Sequence, residues 1–218
     1  MTILSISEEL LILCISNDKG SISNSAKSVL PYGLAGAVLA DLALISKIQI
    51  KDDRLFLSGL IPTGEALSDE IMSALYNEKK PRKLKHWVDN LGHKHNIKSV
   101  AKRLVERNVI RIEQKHYLWV IPYELYPQQD ASAKYWVKQH LRSIVLAGEK
   151  AESADIALLG LLRACRLLSL VFTHDEYKAA EKQVNELTEG EVFGEAIAKV
   201  LADNELVTVV GIMAGVMG

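Results

Sequence analysis

A chain of 218 residues with 49% hydrophobic and 24% charged side chains can bury a sizeable core without the help of metals or disulfides. The two cysteines, Cys14 and Cys165, sit in apolar runs far apart in sequence and read as small core hydrophobes, so nothing points to an oxidising compartment. The formal net charge of −1 hides an asymmetry: between Lys79 and Lys115 twelve Lys or Arg face only Asp89, Glu106 and Glu113, a local +9 that the rest of the chain offsets with −10. Such a distribution points to an anionic partner for one region, against the plainer reading of a solvated helix face.

In chain order, MTILSISEELLILCIS lacks the basic start and small-residue cleavage site of a signal peptide. Ser5 and Glu8 instead predict a capping box and a first helix. The stretch LADLALISKIQIKDDRLFL (39–57) predicts a helix running into an I-x-I strand, a turn at Asp52 and Asp53, and a return strand from Leu55 to Leu57. Thr63 is the expected cap of a helix to about Tyr76, and a short helix around Trp87 ends at Gly92. Residues 103–120, RLVERNVIRIEQKHYLWV, repeat the helix–hairpin pattern about sixty residues later. PYELYPQQD then reads as a loop, and Asp130 caps a helix to about Ala147.

Residues 154–172, apolar nearly all round, predict a helix buried on most faces and the centre of the core. Amphipathic helices over 174–187 and about 191–203 follow. The uncharged tail 206–218 has 13 residues, short of the roughly 20 that span a bilayer, and is expected to form a buried last helix, with an interfacial segment as the alternative. The expected fold is mainly α: one domain over 1–218, a helical bundle with a largely buried central helix, surrounding amphipathic helices and two short β-hairpins.

Motifs for catalysis are scarce. His86, His93, His95 and His116 lack cysteine or carboxylate partners at ligand spacing, so no metal site is expected. The GLAG stretch (33–36) follows no strand and reads as glycines that let helices approach. The carboxylate pairs, Glu8-Glu9 among them, lie at helix starts, turns or polar faces, where dipole and solvation effects account for them and no apolar surroundings raise a pKa. The residues therefore argue against an enzyme and call for no cofactor.

The basic stretch remains. On a helix from about Ile97 to Asn108, Val100, Ala101, Leu104 and Val105 form the buried stripe, while Lys98, Lys102 and Arg103 point elsewhere and Lys94 precedes the helix start, where free N–H groups favour an anion. A helix followed by a two-stranded wing also suits a nucleic-acid reader, although the exposed face offers few Asn, Gln, Ser or Thr for base edges.

Taken in order, SISEELLIL, GLAGAVLADLALISKIQI, PTGEALSDEI, the helix with Trp87, VAKRLVERNVI and HDEYKAAEKQVNEL resemble the Golgi phosphoprotein 3 family over nearly the whole chain. The resemblance implies a non-enzymatic peripheral membrane protein, a helical bundle whose eukaryotic members bind phosphatidylinositol 4-phosphate as trafficking adaptors. Of the family's basic headgroup positions only Lys94 keeps its charge, and with Lys98 and Lys102 of the basic stretch it is expected to bind the headgroup. The resemblance also assigns membrane contact or homo-oligomer formation to the second hairpin, through Trp119, Tyr123, Leu125 and Tyr126, with core packing of these side chains as the alternative.

The departures from the family pattern matter as much. Where the family pocket uses a tryptophan and a basic residue this chain has Ala26 and Ala35, and where it uses two arginines this chain has Lys94 and Ile97. Losing the planar guanidinium fork weakens recognition of one particular phosphoinositide and leaves generic anionic phospholipid binding. The chain starts directly at the domain, as expected of a bacterial-type member, cytoplasmic and peripherally membrane-associated. A winged-helix-like nucleic-acid binder and an oligomeric interaction scaffold stay open as alternatives.

Overall fold

The computed structural model describes residues 4–93, 96–117 and 120–203. The elements are α1 (Ile6–Cys14), α2 (Leu30–Leu44), β1 (Ile48–Lys51), β2 (Arg54–Leu57), α3 (Ala66–Asn77), α4 (Leu84–Gly92), α5 (Asn96–Glu106), β3 (Glu113–Tyr117), β4 (Ile121–Leu125), α6 (Ala131–Ala147), α7 (Ser153–Ala164), a 3-10 turn (Leu168–Leu170), α8 (His174–Leu187) and α9 (192–203). The fold is mainly α, with two separate antiparallel hairpins, β1–β2 and β3–β4. Among the described residues no helix is long and apolar enough to cross a membrane. The tail 206–218 lies outside the described residues.

Helix α1 starts as its sequence dictates: the Ser5 side chain accepts from the Glu8 N–H and Glu8 returns a bond to the Ser5 N–H. Nearly all of it is then buried, because α2, α5, α6 and α7 pack around it. The centre of the core is therefore α1 with α2, and residues 154–172 are not one central helix. Their chain turns after α7, where Arg166 takes a positive φ of 56° and the Leu167 N–H reaches back to the Leu162 carbonyl, a left-handed helix stop without glycine. The four leucines Leu158, Leu159, Leu161 and Leu162 remain fully buried. Cys14 and Cys165 are free and buried, as apolar residues would be.

The glycines of the GLAG stretch lie inside α2. A Cβ on Gly33 would sit 3.2 Å from Cys165 Sγ, and one on Gly36 would sit 2.6 Å from Ile197 Cδ1, so both permit close packing. The first hairpin has the expected register, Ile48 opposite Leu57 and Lys51 opposite Arg54, with Asp52 and Asp53 both at positive φ in its two-residue turn. Thr63 does not cap α3 in the expected way. Asp69 reaches back from the first turn to accept from the Thr63 N–H at 2.6 Å, the Thr63 hydroxyl at 2.7 Å and the Gly64 N–H at 3.2 Å.

The second hairpin is displaced towards the C-terminus. Residues 109–112 make only an isolated bridge, Ile110 to Gln128, and the Pro122–Leu125 segment read as loop is strand β4. Glu113 pairs with Leu125 and Tyr117 with Ile121. The end of β4 is fixed by a long-range bond from the Tyr126 N–H to the Gly20 carbonyl at 2.6 Å. Gly20 has a φ of 68°, and a Cβ there would lie 2.6 Å from the Tyr126 carbonyl carbon, so glycine is needed for both conformation and approach.

Candidate anion-binding cleft

The second hairpin leans over the start of α5 and the end of α4, leaving a cleft of about 1300 Å³. The 21–31 segment closes it with Lys27 and Pro31; α4 and α5 contribute His93, Ile97 and Lys98; the hairpin contributes Pro122 to Tyr126. Lys98 is exposed, and its Nζ lies 3.4 Å from Glu124 Oε1, a carboxylate that also accepts the Tyr126 hydroxyl at 2.9 Å. The cleft thus carries cationic side chains from two separate elements and one acid that competes with any anionic ligand for Lys98.

The sequence-predicted residues divide. Lys98 lines the cleft; Lys102, one turn on, is exposed outside it; Lys94 lies outside the described residues. Tyr123 is 45% exposed and Leu125 is half-buried, whereas Tyr126 is only 6% exposed and belongs to the core, so it cannot be an interfacial side chain. Burial and the bond to Glu124 push its phenol well above the ordinary range. Trp119 lies outside the described residues, and Val120 beside it at the hairpin tip is 77% exposed. Ala26 and Ala35 are both buried, and Ile97 puts an apolar side chain into the cleft wall.

Arg103 corrects the reading of the basic stretch most sharply. Its side chain is only 14% exposed and turns inward to Ser5, Ser7, Glu8 and Glu65. Arg107 joins it, with Nε 3.0 Å from Oε1 of the fully buried Glu8. Other charges of the segment are taken up by Glu78, Asp203 and Glu113. Arg82, Lys85, Lys98, Arg103 and Arg107 are thus paired with acids from outside the segment, which takes up about half of the local +9.

The sequence also misplaced the acidic pair of α1. Beside Glu8, Glu9 has its pKa raised from 4.5 to about 8, chiefly by burial and then by Asp155, Asp41 and Glu8. Asp41 accepts from the Ile6 N–H at 2.8 Å and the Ser7 hydroxyl at 2.6 Å, and burial raises its pKa despite those bonds. Only the packing of α1 against α2 and α7, which periodicity does not reveal, could have marked these acids. Among the described residues no group of His, Cys, Asp or Glu is arranged to hold a metal ion.

The family model described as Golgi phosphoprotein 3 (GPP34) matches residues 6–203. The vacuolar protein sorting-associated protein 74 of Eremothecium gossypii is 28% identical over 167 residues, covering 66% of this chain and 49% of that protein. The chain thus spans about half the length of this relative. The match over residues 6–203, from α1 through α9, makes the chain a member of the Golgi phosphoprotein 3 family.

Proposed function

We propose that the protein is a non-enzymatic, peripheral membrane-associated adaptor on the cytoplasmic side of a membrane, held there by anionic phospholipid headgroups. The observation that carries this reading is the cleft itself: Lys27 and Lys98 face a space large enough for a headgroup, beside a hairpin whose Tyr123 and Val120 are exposed. Ala26, Ala35 and Ile97 supply no stacking ring or guanidinium fork, so the recognised feature is negative charge more than one phosphoinositide. The nucleic-acid alternative finds no support, because Arg103 of the wing-preceding helix and Arg107 just after it are engaged with Glu8.

Co-sedimentation with vesicles of neutral lipid, generic anionic lipid and phosphatidylinositol 4-phosphate, at low and physiological salt, tests the proposal. Anionic vesicles should retain the protein and neutral ones should not, with salt weakening retention. A surface lysine near anionic lipid contributes about 1 kcal/mol, so Lys27→Glu with Lys98→Glu should lower retention by roughly tenfold or more. Equal binding by that variant would move the contact elsewhere. No retention on any vesicle would remove the membrane reading and leave self-association through the hairpin.

A further inference from the structure

Alternation along β3 sends Glu113 and Gln114 to opposite faces of the hairpin. Gln114 lines the cleft described above, while Glu113 lines a second recess of about 920 Å³ between the hairpin, the 17–20 turn and α6. Five cationic side chains line this recess, Lys19, Arg111, Lys134, Lys138 and Arg142, against two acids, Asp18 and Glu113. Arg111 is matched by Glu113 at 2.7 Å, and Arg142 by a two-point pair with Glu176 at 2.5 Å.

The three lysines have no such match. Lys134 is 9% exposed, and its ammonium donates to the Ile15 carbonyl and to Asn17 Oδ1 at 3.0 Å, both neutral oxygens. Lys138, one turn later on the same face of α6, is half-buried, and among the described residues no carboxylate pairs with it or with Lys19. Burial lowers the pKa of both Lys134 and Lys138; Lys138 adds to the effect on Lys134, and Arg142 to that on Lys138. Cations crowded into partial burial without a counter-charge are costly, and an anion that bridges them removes that cost.

We infer that this recess is a second anion site, which takes a phosphoryl group between Lys138, Lys19 and Lys134. A multiply charged phosphate fits better than a single carboxylate, because the cations come from separate elements and the space exceeds one carboxylate. Tyr135, 56% exposed, and the apolar Pro127 and Val171 at the walls leave room for the organic part of a phosphate ester. The donor is a phospholipid headgroup or a soluble phosphate ester, which present the same chemistry here.

Calorimetric titration of the full chain with pyrophosphate tests the site. Lys19→Gln with Lys138→Gln should weaken binding at least tenfold, Lys138→Arg should retain it, and Lys27→Gln with Lys98→Gln should leave this site's affinity unchanged. Because Lys138→Arg keeps both charge and fold, loss in the glutamine variant together with retention in the arginine variant excludes simple misfolding. Parallel sedimentation with anionic vesicles separates the sources: weaker retention of the Lys19/Lys138 variant identifies a lipid headgroup, and unchanged retention a soluble ester. Absence of pyrophosphate binding by the wild type, or equal binding by the glutamine variant, overturns the inference. A failure of vesicle binding alone bears only on the first cleft.

Discussion

Glu9 and Glu8 are neighbours in sequence with different burdens. Glu8 is fully buried but faces Arg103 and Arg107, so its charge has partners. Glu9 is surrounded by other acids, and burial with those acids raises its pKa to about 8. A carboxyl whose folded-state pKa is raised binds its proton more tightly in the native state. Its stabilising effect is therefore complete below its ordinary value of 4.5 and is lost as pH rises through about 8. Glu9→Gln, which keeps the shape and cannot ionise, should flatten this dependence: near neutral or mildly alkaline pH the variant should be more stable than wild type by about 2 kcal/mol, and near pH 4 the two should converge. Urea denaturation across that range checks it, and parallel wild-type and variant curves would contradict the assignment.

Turns and caps decide how the elements are joined. Asp52 and Asp53 occupy a two-residue hairpin turn with φ of 48° and 61°, a conformation that Asn-Gly adopts with less strain. Asp52→Asn with Asp53→Gly should therefore stabilise the fold by about 0.5–1 kcal/mol, read as a higher denaturation midpoint with an unchanged slope. The hairpin and its helix were legible because period-2 alternation and a turn signal agreed over 48–57. At the second hairpin the local signals disagreed. His116 to Val120 has strand-like composition, but pairing is set by contacts that sequence spacing does not encode, such as the Tyr126 N–H bonded to the Gly20 carbonyl. Arg166 at positive φ shows the same limit: an apolar run over 154–172 continues as a pattern through a point where the backbone reverses.

In the whole molecule, helices from distant parts of the chain approach through glycine. A Cβ on Gly194 of α9 would lie 2.6 Å from the Gly160 carbonyl oxygen of α7, a backbone atom that cannot swing aside. Gly194→Val should push α9 off the bundle and destabilise the protein by about 2–3 kcal/mol, with hydrogen exchange accelerated first in residues 192–203. The same scale governs charge. The partners of the basic segment include Glu8, Asp203 and Glu124, so its electrostatic character is a property of packing and not of composition. Conversely, Lys134 and Lys138, partly or wholly buried with no carboxylate partner among the described residues, lie on α6, outside the segment with the highest local charge.

By itself the sequence determined the mainly helical architecture, the capping box at Ser5, the Asp130 cap, the first hairpin and the family, because each rests on local spacing or on ordered motifs. Only the tertiary structure decided which charges face solvent. Burial and ion pairing join residues such as Arg103 and Ser5 that lie nearly a hundred positions apart, and no local pattern carries the solvation that sets their energy. For that reason Arg103 and Tyr126 left the predicted surface, Glu9 was brought beside Asp41 and Asp155, and Lys138 became a candidate ligand.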